Sequence, residues 1–211
     1  MKLFIILFML LAFRSNLSAA TGPYVTIYHL HQVFNTVKKT SNVSQRALAR
    51  TFAYYEKYRY IKHLSSQYIA VADYTKTALQ NRLYIINLYT GKVSLYLVAH
   101  GVNSGAKGGR VWRSSNSKGS HKTPYGFFKI GFKEGKTTSK GYDYLSVTGL
   151  EWSNRNAGLP TRKGGRDILL HTASYVARAG RSYGCFAIRP QDKKSVFSKL
   201  KGALFYSYTG R

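Results

Sequence analysis

The residues of this chain that could do acyl-transfer chemistry are a single cysteine and a nearby histidine. Cys185 is the only cysteine among the 211 residues and directly follows Gly184. Upstream, the apolar run 168–170 ends on His171. A thiol with an imidazole base within reach is a nucleophile of the kind that forms covalent acyl intermediates. Since the glycine lets the backbone bend, the N–H groups of Tyr183, Gly184 and Cys185 could converge on a developing oxyanion.

The two residues are expected to meet across a pair of strands. Residues 168–170 and 185–188 are apolar runs typical of strands, and residues 173–183 would form a loop over their ends. If the strands are antiparallel neighbours, His171 lies across from Cys185 with Cα atoms about 4.5–5.5 Å apart. The imidazole would then lower the pKa of the thiol from about 8.5 and raise its thiolate fraction.

Residues 1–20 have the pattern of a secretory signal peptide. Lys2 supplies a positive start, residues 3–13 are almost entirely apolar, and residues 18–20 are small enough for cleavage. The apolar run covers only about 16 Å of helix, half of a hydrocarbon core, so we expect no transmembrane span after signal cleavage. The alternative is an uncleaved anchor, because Arg14 interrupts the pattern. We expect an exported protein of the periplasm or of the extracellular envelope.

The chain is strongly basic, with 33 lysine and arginine residues against 7 aspartate and glutamate residues and a formal net charge of +26. Such a field concentrates polyanions near the surface. The expected partners are carboxylate-bearing cell-wall polymer and other anionic envelope polymers, unless the charge only keeps the protein soluble. No nucleic acid partner is expected, because the tyrosine, lysine and arginine residues at 54–62 follow the period of an amphipathic helix.

Other enzyme classes lack their characteristic residues. A glycosidase needs two carboxylates beside one bond, and the seven acidic residues form no recognisable pair. His29 and His31 share one face of a predicted extended segment but have no third ligand, so no metal or other cofactor is expected. The single cysteine cannot form an internal disulfide, so the core must stabilise the fold by itself.

The hydrophobic pattern predicts a mostly β protein with an N-terminal helix and a short C-terminal helix. Residues 21–40 show no clear period and are interpreted as a lead-in, and residues 41–62 form an amphipathic helix capped by Ser41 or Ser44. A second helix is predicted over 191–201. Strands are predicted at 67–73, 83–88, 93–99, 125–132, 144–152, 168–171, 185–188 and 203–208. The resulting division is a signal peptide over 1–20, a lead-in and helix over 21–66, and a catalytic domain over 67–211.

These motifs carry a family resemblance. His171 followed by the block Ser182-Tyr183-Gly184-Cys185 resembles the catalytic domain of murein L,D-transpeptidases, whose signature is a histidine and, about ten residues later, Ser-x-Gly-Cys. The likeness covers about residues 73–208 and includes the strand pair over 82–101. It implies a single β-sandwich or barrel domain and cysteine-dependent cross-linking of peptidoglycan stem peptides through a thioester on Cys185.

The resemblance also implies roles for individual residues. Cys185 and His171 would be catalytic, and the backbone carbonyl of Thr172 would orient the imidazole. The expected substrate-binding residues are His100, Ser120 and Ser182, with a structural role as the alternative for His100 and a place on a solvated loop as the alternative for Ser120. The chain departs from the family pattern in three places: many members have histidine at the position of Tyr183, glycine or serine at that of Thr172, and arginine at that of Ala187.

Two functions remain open beside transpeptidation. If water rather than an amine resolves the thioester, the protein is an L,D-carboxypeptidase. A degenerate member that keeps the fold but not the chemistry would bind cell wall or another polyanion through its basic surface.

Overall fold

The structure, a computed structural model, describes residues 25–210, so the predicted signal peptide lies outside the described residues. The described chain forms one eight-stranded sheet and three α-helices. The helices are α1 (Ile27–Thr40), α2 (Gln45–Tyr58) and α3 (Lys193–Leu200). The strands are β1 (Tyr68–Asp73), β2 (Leu83–Asn87), β3 (Val93–Tyr96), β4 (Gly126–Lys136), β5 (Asp143–Gly149), β6 (Leu169–Thr172), β7 (Phe186–Ile188) and β8 (Leu204–Tyr208). Their order in the sheet is β3-β2-β1-β8-β4-β5-β6-β7.

The two edges of this sheet, β3 and β7, approach each other. The chain that leaves β3 runs beside β7, where the N–H of Ala99 donates to the carbonyl of Ala187 at 2.9 Å. The N–H of Ser182 donates to the carbonyl of His100 at 2.9 Å, and the N–H of Val102 donates to the carbonyl of Ser182 at 2.8 Å. The sheet is therefore nearly closed, like a barrel, and the seam holds the turn that precedes β7.

Alternation along the strands divides the apolar side chains between the inside of the barrel and its outer face. On β1, Ala70 and Ala72 belong to the inner core, whereas Ile69 and Val71 belong to a second core outside. The inner core also includes Leu170 of β6. The packing of this core fixes the position of β6 and β7.

Both N-terminal helices cover the outer face of β1, β2 and β8 and share the second core with these strands. The buried residues of the two helices are Leu30, Val33, Val37, Ala47, Leu48, Thr51, Phe52 and Tyr55. The predicted helix over 41–62 is α2, which begins after the cap Ser44 and ends at Tyr58. The N-terminal helices therefore stabilise the strands without approaching β6 or β7 in the sheet order.

The prediction of an irregular lead-in over 21–40 was wrong for residues 27–40, which form α1. Thr26 caps this helix with its side-chain oxygen. The buried positions of α1 follow helical spacing. However, Ile27 and Tyr28 are 51% and 73% exposed, and these solvent-facing apolar residues obscure the period in the sequence.

The mostly β class with a short C-terminal helix is confirmed. Helix α3 packs Val196, Phe197 and Leu200 into the inner core, and Lys199 donates to Ser94 and Tyr96 of β3, each at 3.1 Å. Within residues 25–210, no helix is long and apolar enough to cross a membrane.

Candidate active site

Cys185 lies at the end of a tight turn, immediately before β7. The hydroxyl of Ser182 donates to the carbonyl of Cys185 at 2.7 Å and accepts from the N–H of Gly184 at 3.1 Å. Both bonds are internal to the turn, so we assign Ser182 to the positioning of Cys185. The hydroxyl keeps a second lone pair, and Ser182 also lines the cavity that holds Cys185, so the substrate contact predicted from sequence stays a prediction.

The turn requires glycine at position 184. Gly184 has a φ of +117°, a backbone conformation that residues with a Cβ rarely adopt. A Cβ at this position would also lie 2.8 Å from Nη2 of Arg166 and 2.8 Å from the carbonyl oxygen of Lys122. The bend predicted before the thiol is therefore present, and it requires glycine because a Cβ at position 184 would collide with Arg166 and Lys122.

His171 lies on β6, which runs parallel to β7 and not antiparallel as predicted. In this register His171 pairs with Ala187, so Cys185 lies two residues before the position opposite the histidine. The physical reason is the connection between the strands. Residues 173–185 include the short 3₁₀ helix Ser174–Arg178 and return the chain to the starting end of β6, as a parallel pair requires. Since side chains alternate along a strand, His171 and Cys185 still share one face of the sheet.

A single cavity of about 390 Å³ brings the two side chains together. Cys185 is partly exposed to this cavity, and His171 is 6% exposed. The wall also contains Val102, Tyr142, Leu169, Tyr175, Arg181 and Tyr183. The cavity is open to solvent beside Tyr183, which is 72% exposed.

The imidazole of His171 is held by its own strand and by two tyrosines. Its Nδ1 lies 3.0 Å from the carbonyl oxygen of Thr172. Because a carbonyl only accepts, Nδ1 carries the proton and Nε2 keeps its lone pair in the neutral ring. Tyr142 stacks on the imidazole with centroids 5.1 Å apart, and Tyr175 meets it edge-on at 6.5 Å. Burial lowers the pKa of His171, although the Thr172 carbonyl opposes this, so the ring is neutral at pH 7.

The thiol of Cys185 is also neutral at rest. Burial raises its pKa, while the N–H of Leu169 and the guanidinium of Arg166 oppose that rise. The thiol donates to the carbonyl of Asp167 at 3.6 Å rather than to His171. The predicted lowering of the thiol pKa by the imidazole was therefore wrong. Two neutral groups in one cavity suit base-assisted attack, in which the proton leaves sulfur as the new bond forms.

The three N–H groups predicted to bind an oxyanion differ in availability. The N–H of Gly184 is occupied by Ser182. The N–H of Cys185 lies beside its own sulfur, where it favours the thiolate. Within residues 25–210, the N–H of Tyr183 donates to no other group. It is thus the donor most available to a bound carbonyl oxygen.

His100 lies in the interior and not on the cleft. It is 0% exposed, and its Nδ1 accepts from Nη2 of the equally buried Arg82 at 2.9 Å. Burial and the charge of Arg82 lower the pKa of His100 to about 4, so it is neutral at pH 7. No substrate can reach it in this conformation, which corrects the predicted substrate contact. Its place is structural, at the seam where its carbonyl binds Ser182.

Ser120 lies on the long loop between β3 and β4. Its carbonyl accepts from the side chain of Asn103 at 3.0 Å, and its hydroxyl accepts from the N–H of Lys122 at 3.4 Å. Ser120 does not line the Cys185 cavity. A contact between Ser120 and substrate stays a prediction.

Sequence reasoning missed Arg166, which connects the long loop to the cysteine turn. Its guanidinium donates to the carbonyls of Ser115 at 2.5 Å and Lys122 at 2.6 Å, and it lies against Gly184. The same group is near enough to Cys185 to lower the pKa of the thiol. Only the tertiary structure reveals this role, because in the sequence Arg166 ends a polar loop. Among residues 25–210, no group of three histidine, cysteine, aspartate or glutamate side chains is placed to hold a metal ion.

Comparison with known proteins identifies the family. The family model described as "L,D-transpeptidase catalytic domain" matches residues 39–208. The chain therefore belongs to the L,D-transpeptidase family, which acts on the peptides of peptidoglycan. The predicted resemblance to this family is thereby confirmed.

Solved structures give more distant matches. An L,D-transpeptidase from Mycobacterium smegmatis is 16% identical, with 67% of this chain and 58% of that chain covered and a TM-score of 0.39. An L,D-transpeptidase from Mycobacterium tuberculosis H37Rv is 16% identical, and the match covers 67% of this chain and 57% of that chain with a TM-score of 0.34. The match thus spans less than two thirds of these proteins. No curated protein matches the chain.

Proposed function

We propose that this protein is a cysteine L,D-transpeptidase that acts on peptidoglycan stem peptides. Cys185 is the nucleophile and His171 is the base. The observation that carries the proposal is the cavity containing both side chains, with Nδ1 of His171 bound to the Thr172 carbonyl. This bond leaves Nε2 as the atom that can take a proton from the thiol.

The reaction has two halves. In the first, the sulfur of Cys185 attacks the amide carbonyl on the L-side of a bond between an L-centre and a D-amino acid, and the thiol proton passes to Nε2 of His171. The N–H of Tyr183 stabilises the oxyanion. Collapse breaks the C–N bond, the departing D-residue takes the proton from the imidazolium, and a thioester remains on Cys185. In the second half, a side-chain amine of another stem attacks the thioester and loses a proton to Nε2. The C–S bond breaks, the new amide forms, and the sulfur takes the proton back from the imidazolium.

The neutral resting pair fits this sequence of proton transfers. Because burial keeps both Cys185 and His171 uncharged, the proton moves only when a carbonyl is in place to accept the sulfur electrons. A thiol that is not a standing thiolate is also less exposed to oxidation outside the cell. We place the protein in the periplasm or the extracellular envelope, because residues 1–20 have the pattern of an export signal.

The experiment is mass spectrometry of the mature protein after exposure to a carbapenem, whose strained carbonyl mimics the acyl donor. We expect one adduct on Cys185 in the wild type and a rate at least about a hundredfold lower in His171→Gln, since base catalysis contributes about 10²–10⁴. His31→Gln, at a solvent-exposed position of α1, is the matched control and should react at the wild-type rate. An adduct that forms equally fast in His171→Gln would contradict the proposal.

A non-catalytic wall-binding protein is the second candidate, and one observation favours it. In the structure the thiol donates to Asp167 and does not hydrogen-bond to His171, as a degenerate site would allow. This candidate predicts that Cys185→Ala binds cell wall like the wild type and that neither protein reacts with stem peptides. If water accepts the acyl group, the product is a shortened stem, which makes the protein an L,D-carboxypeptidase with the same first half-reaction.

A further inference from the structure

A second groove adjoins the Cys185 cavity on the far side of Val102 and Arg181. Its volume is about 510 Å³, and three cationic side chains line it: Arg113, Lys122 and Arg181. We call it the cationic groove. Val102 and Arg181 line both spaces, so the groove and the Cys185 cavity share a wall.

The three cations of the cationic groove lack acidic partners. In the described part of the chain, no carboxylate oxygen lies within 4.0 Å of the side-chain nitrogens of Arg113, Lys122 or Arg181. The ion pairs elsewhere join cations to residues such as Glu134 and Asp143, on the β4–β5 hairpin. Like charges around one groove repel each other, so an anionic ligand would be attracted there.

The cationic groove is a built feature and not a chance meeting of long side chains. The N–H groups of Trp112 and Arg113 both donate to the carbonyl of Ser104, at 3.0 and 3.1 Å. The hydroxyl of Ser104, which is 0% exposed, accepts from the N–H of Thr123 at 2.7 Å. These bonds hold the two sides of the long loop together and fix the backbone that carries the cations.

Two of the cations are also held in place. Nη1 of Arg181 donates to the carbonyls of Val102 at 3.2 Å and Gly105 at 3.1 Å, which leaves the rest of the guanidinium open at the shared wall. The guanidinium of Arg113 lies 4.6 Å from the ring of Trp112, which is 66% exposed. The cationic groove therefore offers fixed positive charge beside an open aromatic face.

We infer that the cationic groove binds a carboxylate-bearing arm of the peptide that reacts at Cys185. This inference rests on the proposed function and adds a substrate feature to it. The shared wall favours a peptide over a separate phosphate polymer, because a peptide bonded to Cys185 lies in a cavity that Arg181 lines, and Arg181 also lines the cationic groove. Arg181 then contacts the ligand in both spaces, and Arg113 and Lys122 bind the carboxylate beyond it.

The test is a binding titration that does not depend on turnover. Both proteins compared carry Cys185→Ala, and the probes are a synthetic stem tetrapeptide with free carboxylates and its twin with the carboxylates amidated. With Arg113 and Lys122 intact, we expect the acid form to bind about tenfold more tightly, since exposed ion pairs each contribute a few-fold. With Arg113→Gln and Lys122→Gln, we expect the two forms to bind within about twofold of each other.

The control removes two charges elsewhere. Lys38→Gln and Lys39→Gln, on the exposed end of α1, lower the net charge equally and should leave the tenfold preference intact. An equal loss in this control would mean that the overall field, and not the cationic groove, attracts the peptide.

Two other results would overturn the inference. A preference that survives in Arg113→Gln/Lys122→Gln would place the carboxylate elsewhere. Polyphosphate binding that requires Arg113 and Lys122, while peptide binding does not, would identify the cationic groove as a site for a phosphate polymer. The carbapenem experiment reports separately on Cys185, so failure of the chemistry and failure of this inference are distinguishable.

Discussion

Nδ1 of His171 lies 3.0 Å from the carbonyl oxygen of Thr172, a bond within one strand of the sheet. Because the acceptor is backbone, the geometry of β6 sets which nitrogen of the base carries the proton, and Tyr142 stacks on the ring and helps to hold it. The lone pair of Nε2 is then free to act on a proton in the cavity. A neutral thiol lies in the same cavity as this base.

The need for His171 should disappear at high pH. Once the pH exceeds the pKa of the thiol, the thiolate is present without a base. We therefore expect His171→Gln to react with a carbapenem about a hundredfold or more slowly than wild type at pH 7. Its alkylation by iodoacetamide at pH 10 should match the wild type. Slow alkylation at pH 10 would show that the substitution damages access to Cys185.

The pH dependence of alkylation reports the state of the thiol directly. Burial raises the pKa of Cys185, so the iodoacetamide rate should rise with a midpoint above the ordinary value of about 8.5. A standing thiolate–imidazolium pair would instead give a midpoint well below 7. Alkylation rates measured across the pH range decide between the two states.

Arg166 should influence the same midpoint. Its guanidinium lowers the pKa of the Cys185 thiol, so Arg166→Gln should move the alkylation midpoint to higher pH. Arg178→Gln, in the connection between β6 and β7, is the matched loss of one charge and should leave the midpoint nearly unchanged. If both variants shift it equally, the effect comes from net charge and not from the contact of Arg166 with the turn.

Gly184→Ala should destabilise the turn as well as slow the reaction. The positive φ and the approach of Arg166 and Lys122 to a new Cβ together predict a loss of about 1–3 kcal/mol in the free energy of unfolding. Gly141 also has a positive φ, but a Cβ there would meet nothing within 4 Å. Gly141→Ala thus measures the cost of backbone strain alone, and denaturant titrations of both variants should show a larger loss for Gly184→Ala. Equal losses would contradict the steric account.

His100 should make the fold sensitive to acid. Its pKa is lowered to about 4, below the value of about 6.5 expected in the unfolded chain. Between these two values the unfolded chain binds more protons than the folded chain. The contribution of His100 to the free energy of unfolding is therefore fully present above pH 6.5 and is lost as the pH drops toward 4. The contribution is about 3 kcal/mol. Denaturant titrations from pH 7 to pH 4 should show a smaller decline for His100→Gln, and an identical decline would argue against the buried neutral histidine.

The sequence predicts which two side chains share the cavity better than it predicts how their strands run. A lone cysteine after glycine and an upstream histidine at the end of an apolar run are local signals, and the structure brings Cys185 and His171 into one cavity. The relative direction of β6 and β7 depends on the path of residues 173–185, which contain a 3₁₀ helix that the pattern did not predict. The antiparallel prediction failed for this reason.

The residues that the sequence did not assign act through long-range contacts. Tyr142 reaches His171 from the turn between β4 and β5, and Arg166 reaches the cysteine turn from the preceding loop. Neither position has a periodic or motif signal. His100 shows the opposite failure, since a histidine at a strand end was expected on the cleft, whereas burial beside Arg82 was visible only in the folded chain.

The most direct test is intact-mass spectrometry of the mature protein mixed with a stem tetrapeptide that ends in a D-amino acid. The proposed function predicts a transient mass increase equal to the tripeptide acyl group on Cys185, together with release of the free D-amino acid. Cys185→Ala should show neither. Release of the D-amino acid by Cys185→Ala at the wild-type rate would contradict the role of the thiol.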